Sequence, residues 1–75
     1  MNFDKLSNAI DNRDMKVKDL LKGMEEYGVK LSRASYYNRM NGKAEFTRSE
    51  IVAIAKVLKL DEENTNRIFF EDYVS

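Results

Sequence analysis

An all-α domain of five short helices is the fold class this sequence predicts, on three observations. Apolar residues recur at helical spacing along the chain, no stretch alternates cleanly between apolar and polar as a half-buried strand does, and capping residues and glycines punctuate the pattern. With 75 residues, 43% of them hydrophobic and 35% charged, the chain suits one small folded domain over 1–75 rather than a disordered segment.

Phe3, Leu6 and Ile10 fall at i, i+3 and i+7 and predict a first helix over about 3–12. Val17, Leu20, Leu21 and Met24 repeat the pattern over about 16–26. Ser32 is the N-cap of a third helix running to about Met40, with Leu31 and Tyr36 placed to staple its first turn. Asn41-Gly42 supplies its stop. Thr47 and Glu50 form a capping-box pattern opening a fourth helix, Phe46 and Ile51 hold the staple positions, and Ile51, Ile54, Ala55 and Leu58 make its apolar stripe. If fully buried, Phe46 would cost roughly 3–5 kcal/mol on truncation to alanine. Asp61 caps a fifth helix through about Arg67. Residues 68–75 form a tail in which Ile68 and one phenylalanine fold back on the core, leaving the other phenylalanine, Tyr73 and Val74 for a dimer contact. Met15, Met24 and Met40 read as core fillers.

Composition narrows the chemistry. Cysteine and histidine are both absent, so the usual nucleophile–base pairs and most transition-metal sites cannot be built, and an enzyme is not expected. A cysteine-free chain with no long apolar run and no signal-peptide pattern fits a reducing, cytoplasmic setting away from the membrane. The acidic run Asp61-Glu62-Glu63 raises calcium, but an EF-hand loop beginning there needs glycine at position 66 and glutamate at 72, where Asn66 and Asp72 stand. The pairs Glu25-Glu26 and Glu71-Asp72 are adjacent in sequence, point in different directions and read as surface. No cofactor and no small-molecule substrate is expected.

Thirteen cations and thirteen anions cancel, yet they are unevenly spread. Residues 30–48 carry Lys30, Arg33, Arg39, Lys43 and Arg48 against Glu45 alone, a local charge of +4. Residues 61–75 carry Arg67 against Asp61, Glu62, Glu63, Glu71 and Asp72, a local charge of −4. A local basic surface is what phosphate binding requires, because counterions are released only where cations meet the backbone.

From Leu20 to Gly42 an apolar-striped helix, a glycine-containing turn and a short capped polar helix resemble a helix-turn-helix. The run Gly28-Val29-Lys30-Leu31-Ser32-Arg33-Ala34-Ser35-Tyr36-Tyr37-Asn38-Arg39-Met40-Asn41-Gly42-Lys43, followed by Glu45-Phe46-Thr47-Arg48-Ser49-Glu50-Ile51, makes residues 3–60 similar to phage repressors of the Cro/cI type, the XRE family. Small phage-encoded members also end in an element like Ile68-Phe69-Phe70. The resemblance implies a compact five-helix, lambda-repressor-like DNA-binding domain whose third helix enters the major groove. It further implies a regulator, Cro-like or cI-like, that occupies a promoter operator on double-stranded DNA as a homodimer on a palindrome.

Side-chain chemistry assigns the roles. Tyr36 and Met40 share one side of the third helix, and Ala34, Ser35, Asn38 and Asn41 the other, with Tyr37 and Arg39 along the borders. Arg33 suits a bidentate contact to guanine, Asn38 to adenine, and Ala34 a thymine methyl, with Ser35 and Tyr37 completing the base-contacting set. Lys16, Lys18, Lys30, Ser32, Asn41, Lys43 and Arg48 suit phosphates. The sequence departs from the family pattern in two places. Arg39 stands where an apolar residue is usual, so Met40 is expected to take over the packing and turn the helix by about one residue. The interval from Leu21 to Ser32 is also long, so either the second helix runs through Tyr27 or Gly28–Leu31 forms a larger loop. A competing reading, supported by the cancelled net charge and the acidic C-terminal segment, is a protein-interaction module of the same fold that modulates another repressor without reading DNA. RNA binding is weaker still, for want of a recognisable RNA module.

Overall fold

The computed structural model describes residues 3–70, and among them the chain forms five helices and no strand. These are α1 (Phe3–Asn12), α2 (Val17–Glu26), α3 (Arg33–Met40), α4 (Arg48–Leu58) and α5 (Glu62–Phe69). The starts of α2 to α5 each have a local cause. The hydroxyls of Ser32 and Thr47 accept from the N–H groups of Ser35 and Glu50, at 3.1 and 3.2 Å, and the Asp61 carboxylate accepts from Asn64 N–H at 2.7 Å. At the head of α2 the Asp19 carboxylate reaches back to Lys16 N–H, at 3.0 Å, so a first-turn acid stands in for a missing side-chain cap.

The ends of α1 to α4 share one device. After α2 and α3 the chain passes through Gly28 and Gly42 at φ 83° and 81°, and the following amides, Val29 and Lys43, bond back to the carbonyls of Met24 and Asn38. The same bond pattern closes α1 and α4, but there Asp14 and Lys59 hold the left-handed position, each at φ 53°. Nothing in the sequence marks those two turns with a glycine. The long interval before Ser32 resolves into a helix ending at Glu26, with Tyr27 as its C-cap and 28–31 as the connection.

The core consists of Leu6, Ile10, Leu20, Met24, Tyr36, Ala53, Ile54, Leu58, Ile68 and Phe69. Every described helix contributes to it, which is how so short a chain closes a single interior. Several expectations shift by a residue or a degree of burial. Ala53 is buried, whereas Ile51 and Ala55 lie half-buried at the edge of the α4 stripe. Met24 is fully buried, while Met15 and Met40 are half-buried against the core. The fifth helix runs two residues past Arg67 because Ile68 and Phe69 pack inward, while Phe70 stays 37% exposed. Tyr73, Val74, Glu71 and Asp72 lie outside the described residues. Phe46 is only half-buried, edge-on between Tyr36 and Phe69, so its truncation should cost less than full burial would imply.

Helices α2 and α4 approach closely, and glycine permits it. A Cβ built on Gly23 would stand 2.9 and 3.0 Å from the two γ-carbons of Val57. Valine on a helix has essentially one χ1 rotamer, so it cannot swing aside. Gly23→Ala would gain about 1 kcal/mol of helix propensity and lose about 1–3 kcal/mol to overpacking. The expected outcome in thermal melts is net destabilisation, reversed in sign when Gly23→Ala is made on a Val57→Ala background. A stabilised single variant would contradict the close approach.

Candidate nucleic-acid interface

The third helix is divided into a held side and a free side. On the held side Tyr36 is 1% exposed and meets Phe46 and Tyr37 edge-on, at centroid distances of 6.1 and 5.5 Å. Burial, with a smaller contribution from neighbouring Tyr37, pushes the Tyr36 phenol from 10.0 up to about 12, so it stays neutral at physiological pH. On the free side Arg33, Ala34, Tyr37, Asn38 and Asn41 are all exposed. Tyr36 and Tyr37 are inclined at 77°, so two consecutive tyrosines make one anchor and one surface group, not a stacking platform.

Arg39 and Ser35 differ from expectation. Arg39 turns inward, with its Nε donating to Glu50 Oε1 at 2.8 Å and its Nη1 to the Ser35 carbonyl at 3.1 Å. The helix is therefore not rotated to bring Met40 alone to the interior. An arginine is accommodated at this position because Glu50 neutralises it. Ser35 lies half-buried at the border rather than on the open face. The pairing also removes Arg39 from the basic surface counted over residues 30–48.

The remaining sequence-assigned residues, Lys16, Lys18, Lys30, Ser32, Lys43 and Arg48, are all exposed. Lys18, Lys30, Ser32 and Arg33 come together in a shallow groove between α2 and the start of α3. Lys22 joins them, and Glu25 is the acidic group on the same rim. Sequence reasoning passed over Lys22, although its i+4 spacing from Lys18 puts both on one face of α2. Arg48 stands apart, beside the Tyr27–Gly28 turn and along a second, largely apolar groove between α4 and α5 that also carries Lys56, Lys59 and Asp61. Lys56 lies over the Tyr27 ring, its Nζ 5.5 Å from the centroid. Among the described residues no cluster of acidic side chains is arranged to hold a metal, and no helix is long and apolar enough to cross a membrane.

Together these features define a five-helix all-α domain with one short, capped helix presenting a polar face beside a basic groove. Comparison with protein-family models, curated proteins and solved structures finds no match for the chain.

Proposed function

We propose that the protein is a sequence-specific double-stranded DNA-binding regulator, a repressor of the Cro-like or cI-like kind encoded by a phage or prophage and acting in the bacterial cytoplasm. In this reading α2 and α3 act as a helix-turn-helix, α3 lies in the major groove, and the protein represses by occupying a promoter and excluding polymerase. The observation that carries the reading is the free polar side of α3, flanked by a groove where Lys18, Lys22, Lys30 and Arg33 converge. Arg33 and Asn38 supply the fork geometries that discriminate guanine and adenine, and the groove lysines supply cations for phosphates. A domain of this size covers about one half-site, so a homodimer on a palindrome with half-site centres about 34 Å apart gives the needed affinity. Val52 and Phe70, 43% and 37% exposed, provide apolar surface for that dimer.

Selection of binding sites from random duplexes at several salt concentrations tests the proposal, and the expected outcome is a recovered palindrome. On that site Arg33→Ala should lose about 1–3 kcal/mol and relax one base position. Lys43→Ala should weaken all duplexes alike and lower the salt slope by about one. Wild-type affinity and salt response in both variants would refute the assignment of α3. One observation favours the competing interaction module, namely the apolar groove formed by Phe46, Ile51, Val52, Leu60 and Phe70. A wild-type protein that selects no duplex would point there.

A further inference from the structure

We infer that Arg39 is a positioning residue for base reading: its ion pair with Glu50 fixes the rotation and tilt of α3 without touching DNA, a role that rests on α3 being the element that reads it. The helix has only eight residues and a single fully buried side chain, Tyr36. Met40, in its last turn, is half-buried against the core, and non-directional apolar contacts at two places leave such a short rod some freedom to roll and tilt. Beyond its end, residues 41–45 are all exposed, and the connection to α4 packs on α3 only through Phe46, edge-on to the same Tyr36.

Arg39 supplies the directional hold. Its guanidinium bonds to the Ser35 carbonyl of its own helix, at 3.1 Å, and to Glu50 Oε1 across the interface, at 2.8 Å. Glu50 is itself pinned, because the same Oε1 accepts from Thr47 N–H at 2.9 Å while Glu50 N–H bonds to the Thr47 hydroxyl at 3.2 Å. Both partners are largely buried, at 18% and 10% side-chain exposure. The result is a strut from the backbone of α3 through two directional contacts to the N-cap of α4. An apolar side chain at position 39 would fill the space but fix no angle. Recognition groups must be held to within about 0.5 Å and 10–20° by supporting contacts of this kind, and in some proteins a buried polar pair specifies geometry while adding little stability.

The double variant Arg39→Met/Glu50→Gln separates positioning from folding. Methionine restores an apolar filler, glutamine keeps an acceptor for Thr47 N–H, and no buried charge is left unpaired. Thermal unfolding is measured beside affinity for the selected duplex and for a scrambled duplex of equal length across salt. The expected result is a melting temperature within about 5 °C of wild type, unchanged scrambled-duplex affinity and salt slope, and a specific-to-scrambled ratio lowered roughly tenfold or more. Glu50→Gln alone keeps an acceptor for Arg39 and should retain most of the ratio. A double variant with the wild-type ratio overturns the inference. Should the double variant fail to fold, Arg39→Lys, which has one nitrogen where the guanidinium uses two, must lower the ratio; a wild-type ratio there overturns it equally. Failure of the wild-type protein to select any duplex is a different result, one that removes the DNA reading itself and the inference with it.

Discussion

Tyr36→Ala should cost about 3–5 kcal/mol, a large part of the roughly 4–11 kcal/mol that a domain of this length commonly has. The side chain is 1% exposed, and its removal opens a cavity bordered by Phe46, which α3 has no other fully buried side chain to fill. Urea titration is the direct check, and a loss under about 1 kcal/mol would contradict the burial on which the held side of α3 depends. A second signature comes from pH. The folded protein keeps the Tyr36 proton to about 12, against 10.0 for an unburied tyrosine. Between those values the unfolded chain binds fewer protons than the folded one, so stability falls as pH rises. The contribution is fully present below about pH 10 and declines by about 2–3 kcal/mol on approaching pH 12. Tyr36→Phe removes the ionisation, so its stability profile should be flatter than that of wild type above pH 10, and parallel profiles would sink the assignment.

What the residues disclosed in advance were the elements whose causes are local. Ser32, Thr47 with Glu50, and Asp61 each mark a helix start because a short polar side chain satisfies an orphan N–H three residues on. Gly28 and Gly42 mark helix ends because a left-handed residue is needed there, whereas Asp14 and Lys59 do the same work unannounced. The residues that follow them, Met15 and Leu60, pack against the core, a contact absent from any local window. The candidate interface divides in the same way. The exposed side of α3 follows from 3.6-residue periodicity once Tyr36 is taken as the anchor, and Arg33, Ala34, Tyr37 and Asn38 are found there. Arg39 was not legible, because an arginine in the apolar register becomes an interior residue only when a carboxylate eleven positions away meets it. Helical spacing within α3 carries no information about that partner. Lys22 was legible as a face-mate of Lys18 from its i+4 spacing. Its place in the groove depends on how α2 packs beside α3.

Glu50→Ala should be the other severe change, costing about 3–5 kcal/mol. One carboxylate serves two helices: it neutralises Arg39 and closes the cap on Thr47 N–H. Removing it strands a guanidinium at 18% side-chain exposure with only the Ser35 carbonyl for company, and leaves an α4 backbone donor without its acceptor. Arg39→Met should cost less, because the surviving carboxylate keeps its bond from Thr47 N–H, although at 10% side-chain exposure it too loses its counter-ion. The asymmetry is the diagnostic. If the charge left behind dominates, then adding Arg39→Met to Glu50→Ala should recover more than half of the loss, since no ion remains in the interior and methionine packs where the arginine stem lay. If the cap dominates, the double variant should stay as unstable as Glu50→Ala, and Glu50→Gln should be the change that restores it. Urea midpoints of the four variants beside wild type distinguish the two causes, and equal stability of Glu50→Ala and wild type would rule out both.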